Sequence, residues 1–303
     1  MALSPELRKI MAHDMLQNRK FDGDTDVPPE TRAFVDLADM VTVERPAIDG
    51  FPYKMYIFTA KNKKADSPLH INIHGGGWLI PHMFNDVLWS AWVADQIQGV
   101  VVDLDYSTTE VASFPVPLHQ CEDAVCYVLD HIGEWECDPK RVSMGGYSAG
   151  GQLTMSIMVD TISRGKKLPI ALLINGYGPN DMRFDEAAAK AVPEYWKTQE
   201  HRSAGFGILM TDDNPAMLDD PTIDFMQASD EILAQLPTTM ILGASNDVFR
   251  FQNLEQGKKL ASLGVQVLMK IYPDTMHGFI PHLMPHWEEA GKWIVHSIMC
   301  TSI

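Results

Sequence analysis

The chain has 303 residues, 46% apolar and 21% charged. That is an ordinary globular composition, and a chain of this length buries roughly 75% of its unfolded surface without a disulfide or metal staple. Forty acids against 24 bases give a formal net charge of −16, which opposes nucleic acid and anionic membranes as partners but not a neutral small molecule.

The N-terminus lacks the basic and apolar regions of a signal peptide, and there is no run of eighteen apolar residues. No membrane span is expected, and a cytoplasmic location is the default. Residues 1–45 read as helix-like and polar, interrupted by the acidic, proline-containing run from Asp22 to Glu30. Strands are predicted over 53–59 and 69–73, and over 99–104, where a nearly continuous apolar run suits a strand buried on both faces. Leu118, Cys121, Val125, Val128, Leu129 and Ile132 recur at helical spacing. Cys121 on that face reads as a small buried hydrophobe, and the four cysteines include no C-x-x-C pair.

A strand over 141–144 leads into a glycine turn and a helix over 150–159. Further strands are predicted over 168–174, 238–242 and 265–271, with helices over 254–263 and from Trp287 to Ile298. The alternation of strand and helix predicts an α/β fold with a largely parallel sheet, helices on both faces, and ligand chemistry at the carboxyl ends of the strands. Residues 181–235 interrupt the alternation. They carry twelve acids and four bases, a balance of −8, along with Trp196, Phe206, Met210 and Met217. Such an amphiphilic insertion between two strands is expected to act as a lid.

Gly146-Tyr147-Ser148-Ala149-Gly150 is a G-x-S-x-G sequence in strand–turn–helix context. Ser148 is therefore the candidate nucleophile, held on a tight turn. A hydroxyl needs a base to take its proton. His277, after the strand ending near 271, is the candidate. The carboxylate that orients an imidazole is expected from Asp247, after the strand over 238–242. Asp274 is a rival, but in so tight a loop it reads as a turn former. Ser148, Asp247 and His277 stand in the chain order expected of an α/β-hydrolase.

Three glycines follow the predicted strand over 69–73, flanked by His74 and Trp78. Glycine amides can meet a developing oxyanion without a side chain in the way, so Gly75, Gly76 and the N–H of Ala149 are the expected oxyanion hole. His74 is expected to hold the loop, and Trp78 to form a wall. His277, His282 and His286 could be imagined around zinc, but Pro281 and Pro285 break the helical face this would need, and no metal is expected. No P-loop or G-x-G-x-x-G sequence after a strand is present.

Together, His74-Gly75-Gly76-Gly77, Gly146-Tyr147-Ser148-Ala149-Gly150-Gly151, Asp247 and His277-Gly278-Phe279 resemble the hormone-sensitive-lipase-like esterases, the bacterial family IV carboxylesterases of the α/β-hydrolase superfamily. Asp105-Tyr106, Glu110 and Phe114-Pro115 match a further segment of that pattern, and coverage runs from about residue 40 to the end. The resemblance implies a mostly parallel eight-stranded sheet over 46–180 and 236–303, capped by helices from 1–45 and 181–235. It also implies hydrolysis of short-acyl carboxylic esters without a cofactor. An amidase or peptidase using the same machinery, or a non-catalytic binding relative, is the alternative. The sequence departs from the pattern at Tyr147, where aspartate is usual, at Pro81-His82, and at Phe251-Gln252. His82 and Tyr147 are therefore expected to contact substrate, along with Trp78, Phe206 and Met210. A homodimer stays open.

Overall fold

Eight strands form one sheet in a computed structural model of the chain, which describes residues 3–17, 22–183, 185–192 and 205–303. The strands are β1 (Ala38–Ile48), β2 (Phe51–Ala60), β3 (Ser67–Ile73), β4 (Val100–Asp105), β5 (Cys137–Tyr147), β6 (Leu172–Gly176), β7 (Thr238–Asn246) and β8 (Val267–Met276). They run in the order β1-β2-β4-β3-β5-β6-β7-β8. β2 pairs antiparallel with β1 and β4, and every other pairing is parallel.

Every residue of β3 is buried, and β4 is buried up to its last residue. Their uninterrupted apolar runs follow from being covered on both faces. One face is covered by α3 (Val116–His131) and α4 (Ala149–Ser163), and the other by α2 (Phe84–Ile97) and α9 (Trp287–Cys300). Cys121 lies in the first of these layers, 1% exposed.

Two elements differ from the sequence reading. Residues 1–45 are not helical throughout. Helix α1 (Pro5–Gln17) and a 3-10 turn (Pro29–Leu37) are followed from Ala38 by β1. This edge strand is mostly exposed and so lacks an apolar signature. It turns into β2 through Asp49 and Gly50, at φ 53° and 86°, the left-handed pair that a two-residue hairpin requires. Its register slips between Arg45 and Ile48, where Pro46 cannot donate to a ladder. Helix α2 also carries no amphipathic stripe, because ten of its residues are buried.

The insertion after β6 holds α5 (Glu186–Lys190), helical residues 205–211 (α6), two 3-10 turns (Pro215–Asp219 and Phe225–Gln227) and α7 (Asp230–Leu233). Trp196, expected within the lid, lies outside the described residues. α8 (Arg250–Ser262) fills the crossover between β7 and β8. Among the described residues, no helix is long and apolar enough to cross a membrane.

Candidate active site

Ser148 sits between β5 and α4 at φ 56° and ψ −120°, a conformation that strains a residue with a side chain by about 1–3 kcal/mol. The turn is this sharp only because of its glycines. A Cβ on Gly146 would stand 2.4 Å from the carbonyl carbon of Gly150, and one on Gly150 would stand 1.9 Å from the oxygen of Ile73. The Ser148 N–H donates to the Gly176 carbonyl at 2.8 Å and pins the turn to β6.

His277 follows β8 and Asp247 follows β7, so both reach the carboxyl edge where Ser148 projects. His277 Nε2 lies 2.7 Å from Ser148 Oγ, and its Nδ1 lies 2.7 Å from Asp247 Oδ2. Asp247 is 1% exposed and is itself oriented by the Phe249 N–H, which donates to Oδ1 at 3.0 Å. A carboxylate only accepts, so Nδ1 carries the proton and Nε2 is free to accept the hydroxyl of Ser148. Tyr177 and Phe249 stand edge-on to the imidazole, at 5.0 and 5.5 Å between centroids. Asp274, exposed near the end of β8 at φ 55°, takes no part.

The glycine loop lies directly against this group. A Cβ on Gly75 would meet the Tyr147 carbonyl oxygen at 2.8 Å and Ser148 Cβ at 3.5 Å. Gly76 has φ +110°, and a Cβ there would press on the Ile80 carbonyl oxygen at 2.7 Å. Among the described residues, the N–H groups of Gly75, Gly76 and Ala149 find no acceptor. His74 holds the loop. Its Nδ1 is 2.7 Å from the Gly75 oxygen, its ring stacks on Tyr106 at 4.4 Å, and the Tyr106 hydroxyl donates to the His74 carbonyl at 3.1 Å. Trp78 is buried and donates from Nε1 to Gln152 Oε1 at 3.1 Å.

A small pocket opens beside Ser148 and His277, with walls from Trp78, Met182, Phe206, Val248 and Phe249. Of the five residues expected to touch substrate, Trp78 and Phe206 line it, and the other three do not. Tyr147 alternates to the opposite face of the sheet from Ser148's pocket and packs against Trp89 at 5.5 Å and Tyr177 at 6.0 Å. Burial there pushes its phenol pKa well up, so it stays neutral. Met210, on α6 of the insertion, is buried in the core, and its carbonyl accepts from the Phe114 N–H at 3.0 Å. His82 turns away from the pocket onto Asp103, 3.1 Å from its Oδ2. The walls missed in the sequence include Val248 and Phe249, which their position directly after Asp247 signals, and Met182, which carries no local signal.

Of the remaining histidines, His282 is half-buried near His277, with its Nδ1 turned inward. Burial, with the neighbouring imidazole, holds its pKa down to about 3. His286 faces Glu289 at the start of α9, 3.8 Å away.

A family profile described as the alpha/beta hydrolase fold matches residues 70–281. Versiconal hemiacetal acetate esterase of Dothistroma septosporum is 30% identical over 121 residues, a match spanning 40% of this chain and 36% of that one. Arylacetamide deacetylase of Mus musculus is 25% identical over 78% of this chain and 74% of its own. Among solved structures, carboxyl esterase 2 of Tuber melanosporum superposes with a TM-score of 0.79 at 24% identity, covering 91% of this chain and all of that one. A hyperthermophilic esterase of Pyrobaculum calidifontis gives 0.80 at 21% identity, over 99% and 98% of the two chains. The profile match, the sheet order and the glycine-loop and nucleophile-turn sequences agree, and the chain belongs to the hormone-sensitive-lipase-like carboxylesterases of the α/β-hydrolase superfamily.

Proposed function

We propose that this protein hydrolyses short-acyl carboxylic esters through an acyl-enzyme on Ser148, with His277 as base and Asp247 as its orienting carboxylate. The observation that carries the reading is the unbroken hydrogen-bonded chain from Asp247 through His277 to Ser148, 2.7 Å at each link, beside three backbone amides with no acceptor among the described residues.

His277 Nε2 takes the Ser148 proton as Oγ attacks the ester carbonyl carbon. Charge gathers on the carbonyl oxygen, where the amides of Gly75, Gly76 and Ala149 receive it. The tetrahedral intermediate collapses, the C–O bond to the alcohol breaks, and His277 returns the proton to the departing oxygen. Water then repeats the sequence and frees the acid. The small volume between Trp78, Met182 and Phe206 supports a short acyl group. Met182 and Phe206 of the insertion wall it, and α1 packs around Phe206 from outside, so the described parts of the insertion and the N-terminal helix act as its cap.

The test is a rate panel of aryl esters from acetyl to decanoyl, with an anilide alongside, on the wild type and on Ser148→Ala. Rates are expected to fall with acyl length, the anilide to be the slower substrate, and Ser148→Ala to lose several orders of magnitude in turnover with its fold kept. Near-normal turnover in that variant overturns the serine mechanism, and rates that rise toward the decanoyl ester overturn the short-acyl preference.

A further inference from the structure

The far side of the glycine loop rests on a charge buried in the middle of the sheet. Asp103 on β4 is fully buried. Its Oδ1 accepts from Asn72 Nδ2 of β3 at 3.0 Å, and its Oδ2 from Ser90 Oγ of α2 at 2.6 Å. The cation beside it is His82, whose side chain is 4% exposed and whose Nε2 is 3.1 Å from Oδ2. Burial opposes charge on both groups, but their attraction and hydrogen bonds prevail. Asp103 is held below the usual carboxylate range and His82 is held up to about 9, so the pair is ionised at neutral pH.

His82 is joined to the loop through a tight turn, in which the N–H groups of Leu79 and Ile80 both donate to the Gly76 carbonyl, at 3.1 and 2.9 Å. At the loop's other end, His74 stacks on Tyr106, which follows β4 directly. One strand therefore holds the loop at both ends: Tyr106 meets His74 before the glycines, and Asp103 meets His82 after them.

We propose that His82 and Asp103 are a positioning pair that sets the Gly75 and Gly76 amides against Ser148, so that turnover rather than substrate binding depends on their contact. This rests on the reading of that loop as the oxyanion hole. Neither residue touches substrate, and His82 lies outside the pocket that holds Ser148.

Loss of the His82 proton leaves Asp103 a buried anion without a counter-charge, which favours movement of the loop. The groups facing His82 are Asp103 and Asp105 of β4, Asp86 of α2, His74 of the loop, and Tyr56 of β2, stacked at 4.6 Å. Asp22, Asp24, Asp26 and Glu110 share the cleft on its outer side. Burial pushes the Tyr56 phenol up.

The experiment measures kcat and KM for triacetin in a pH-stat from about pH 6.5 to about pH 10, on wild type, His82→Gln, and the double variant His82→Gln/Asp103→Asn. Circular dichroism is recorded at each pH. Wild-type kcat is expected to fall through an apparent pKa near 9 while KM stays within about twofold. In His82→Gln, kcat is expected to be down by about 10²-fold at neutral pH, with no alkaline limb. The double variant removes both charges, avoids an unpaired buried anion, and is expected to show the same flat profile. A wild-type kcat level to about pH 10, a limb that survives in either variant, or a kcat loss that follows unfolding in the dichroism overturns the proposal. If the variants do not fold, the wild-type profile and dichroism decide it. A wild type that neither hydrolyses triacetin nor is labelled at Ser148 by a fluorophosphonate overturns the esterase reading, and this one with it.

Discussion

Arg8 on α1 donates from Nη1 to the carbonyl oxygen of Leu209 on α6 at 2.8 Å, across 201 residues of chain. The same nitrogen reaches the Thr109 carbonyl at 2.7 Å, and Nη2 pairs with Asp212. Ala12, Leu79 and Leu209 form a small apolar cluster around the same seam. One buried guanidinium thus ties the N-terminal helix to the insertion and to the segment after β4. Arg8→Met keeps the aliphatic stem and leaves two carbonyls without their donor, at about 1–3 kcal/mol each. Amide-exchange protection is expected to drop over residues 3–17 and 205–211, while α4 and the central strands keep theirs. Unchanged protection at α6 would show that Arg8 is not what holds it.

Asp247→Asn tests the orientation of the imidazole. The asparagine amide offers no second carboxylate oxygen and no charge to favour the proton on Nδ1, so the tautomer with Nε2 protonated gains ground and the hydroxyl loses its acceptor. A fall of about 10³–10⁴ in kcat is expected, with KM changed far less, measured on an aryl acetate. A loss below about tenfold would mean that His277 is oriented by its neighbours Tyr177 and Phe249 instead.

Gly76→Ala probes the loop at its most constrained point. The φ of +110° is unfavourable for alanine, and the new methyl group meets main chain, the Ile80 oxygen at 2.7 Å, rather than a side chain that can rotate away. We expect kcat to drop by about 10²–10³ and stability by about 1–3 kcal/mol. Turnover and the urea midpoint are read on the same preparation. Full turnover in a folded variant would show that the loop tolerates displacement.

Acid sensitivity follows from two neutral histidines, His70 buried and His282 half-buried. Burial holds His70 down to about 4, against a favourable contribution from Asp103, and holds His282 down to about 3. Both native pKa values lie below the unfolded value of about 6.5. As pH falls, the unfolded chain therefore takes up protons first. The stability these groups contribute is complete above about pH 6.5 and is lost progressively toward pH 4 and pH 3, by roughly 2 kcal/mol per histidine at pH 5. The urea midpoint is expected to fall between about pH 7 and about pH 5, and less steeply in His70→Asn, whose amide can still meet Ser143 Oγ, now 2.9 Å from Nδ1. A midpoint independent of pH over that range would contradict this account.

The elements legible in the sequence are those whose burial is uniform or periodic. β3 and β4 announce themselves as unbroken apolar runs, and α3 does so through its single stripe. β1 is hidden because an exposed edge imposes no pattern, and α2 because a helix buried nearly all round has no face to distinguish. Ser148, Asp247 and His277 were legible because each follows its own strand, which sends all three to one edge whatever the details of packing. The pocket was less so. Tyr147 neighbours the serine in sequence but alternates to the opposite face, and Met210 sits in an acidic insertion whose packing no local pattern reveals. Asp103 did leave a sign. An acid in the middle of an otherwise apolar strand implies a partner, and the histidine at 82 was already out of place for the family.

β5 occupies an interior place in the sheet, with β1 four strands away, a separation of about 19 Å at the usual interstrand spacing. Residues Met40 and Val41 on that outer strand face solvent. A linker, support or fusion partner attached there would leave Ser148 undisturbed. The same rim is also where a second, partly unfolded copy would first add on, so added charge on β1 is the change that would keep concentrated preparations clear without altering turnover.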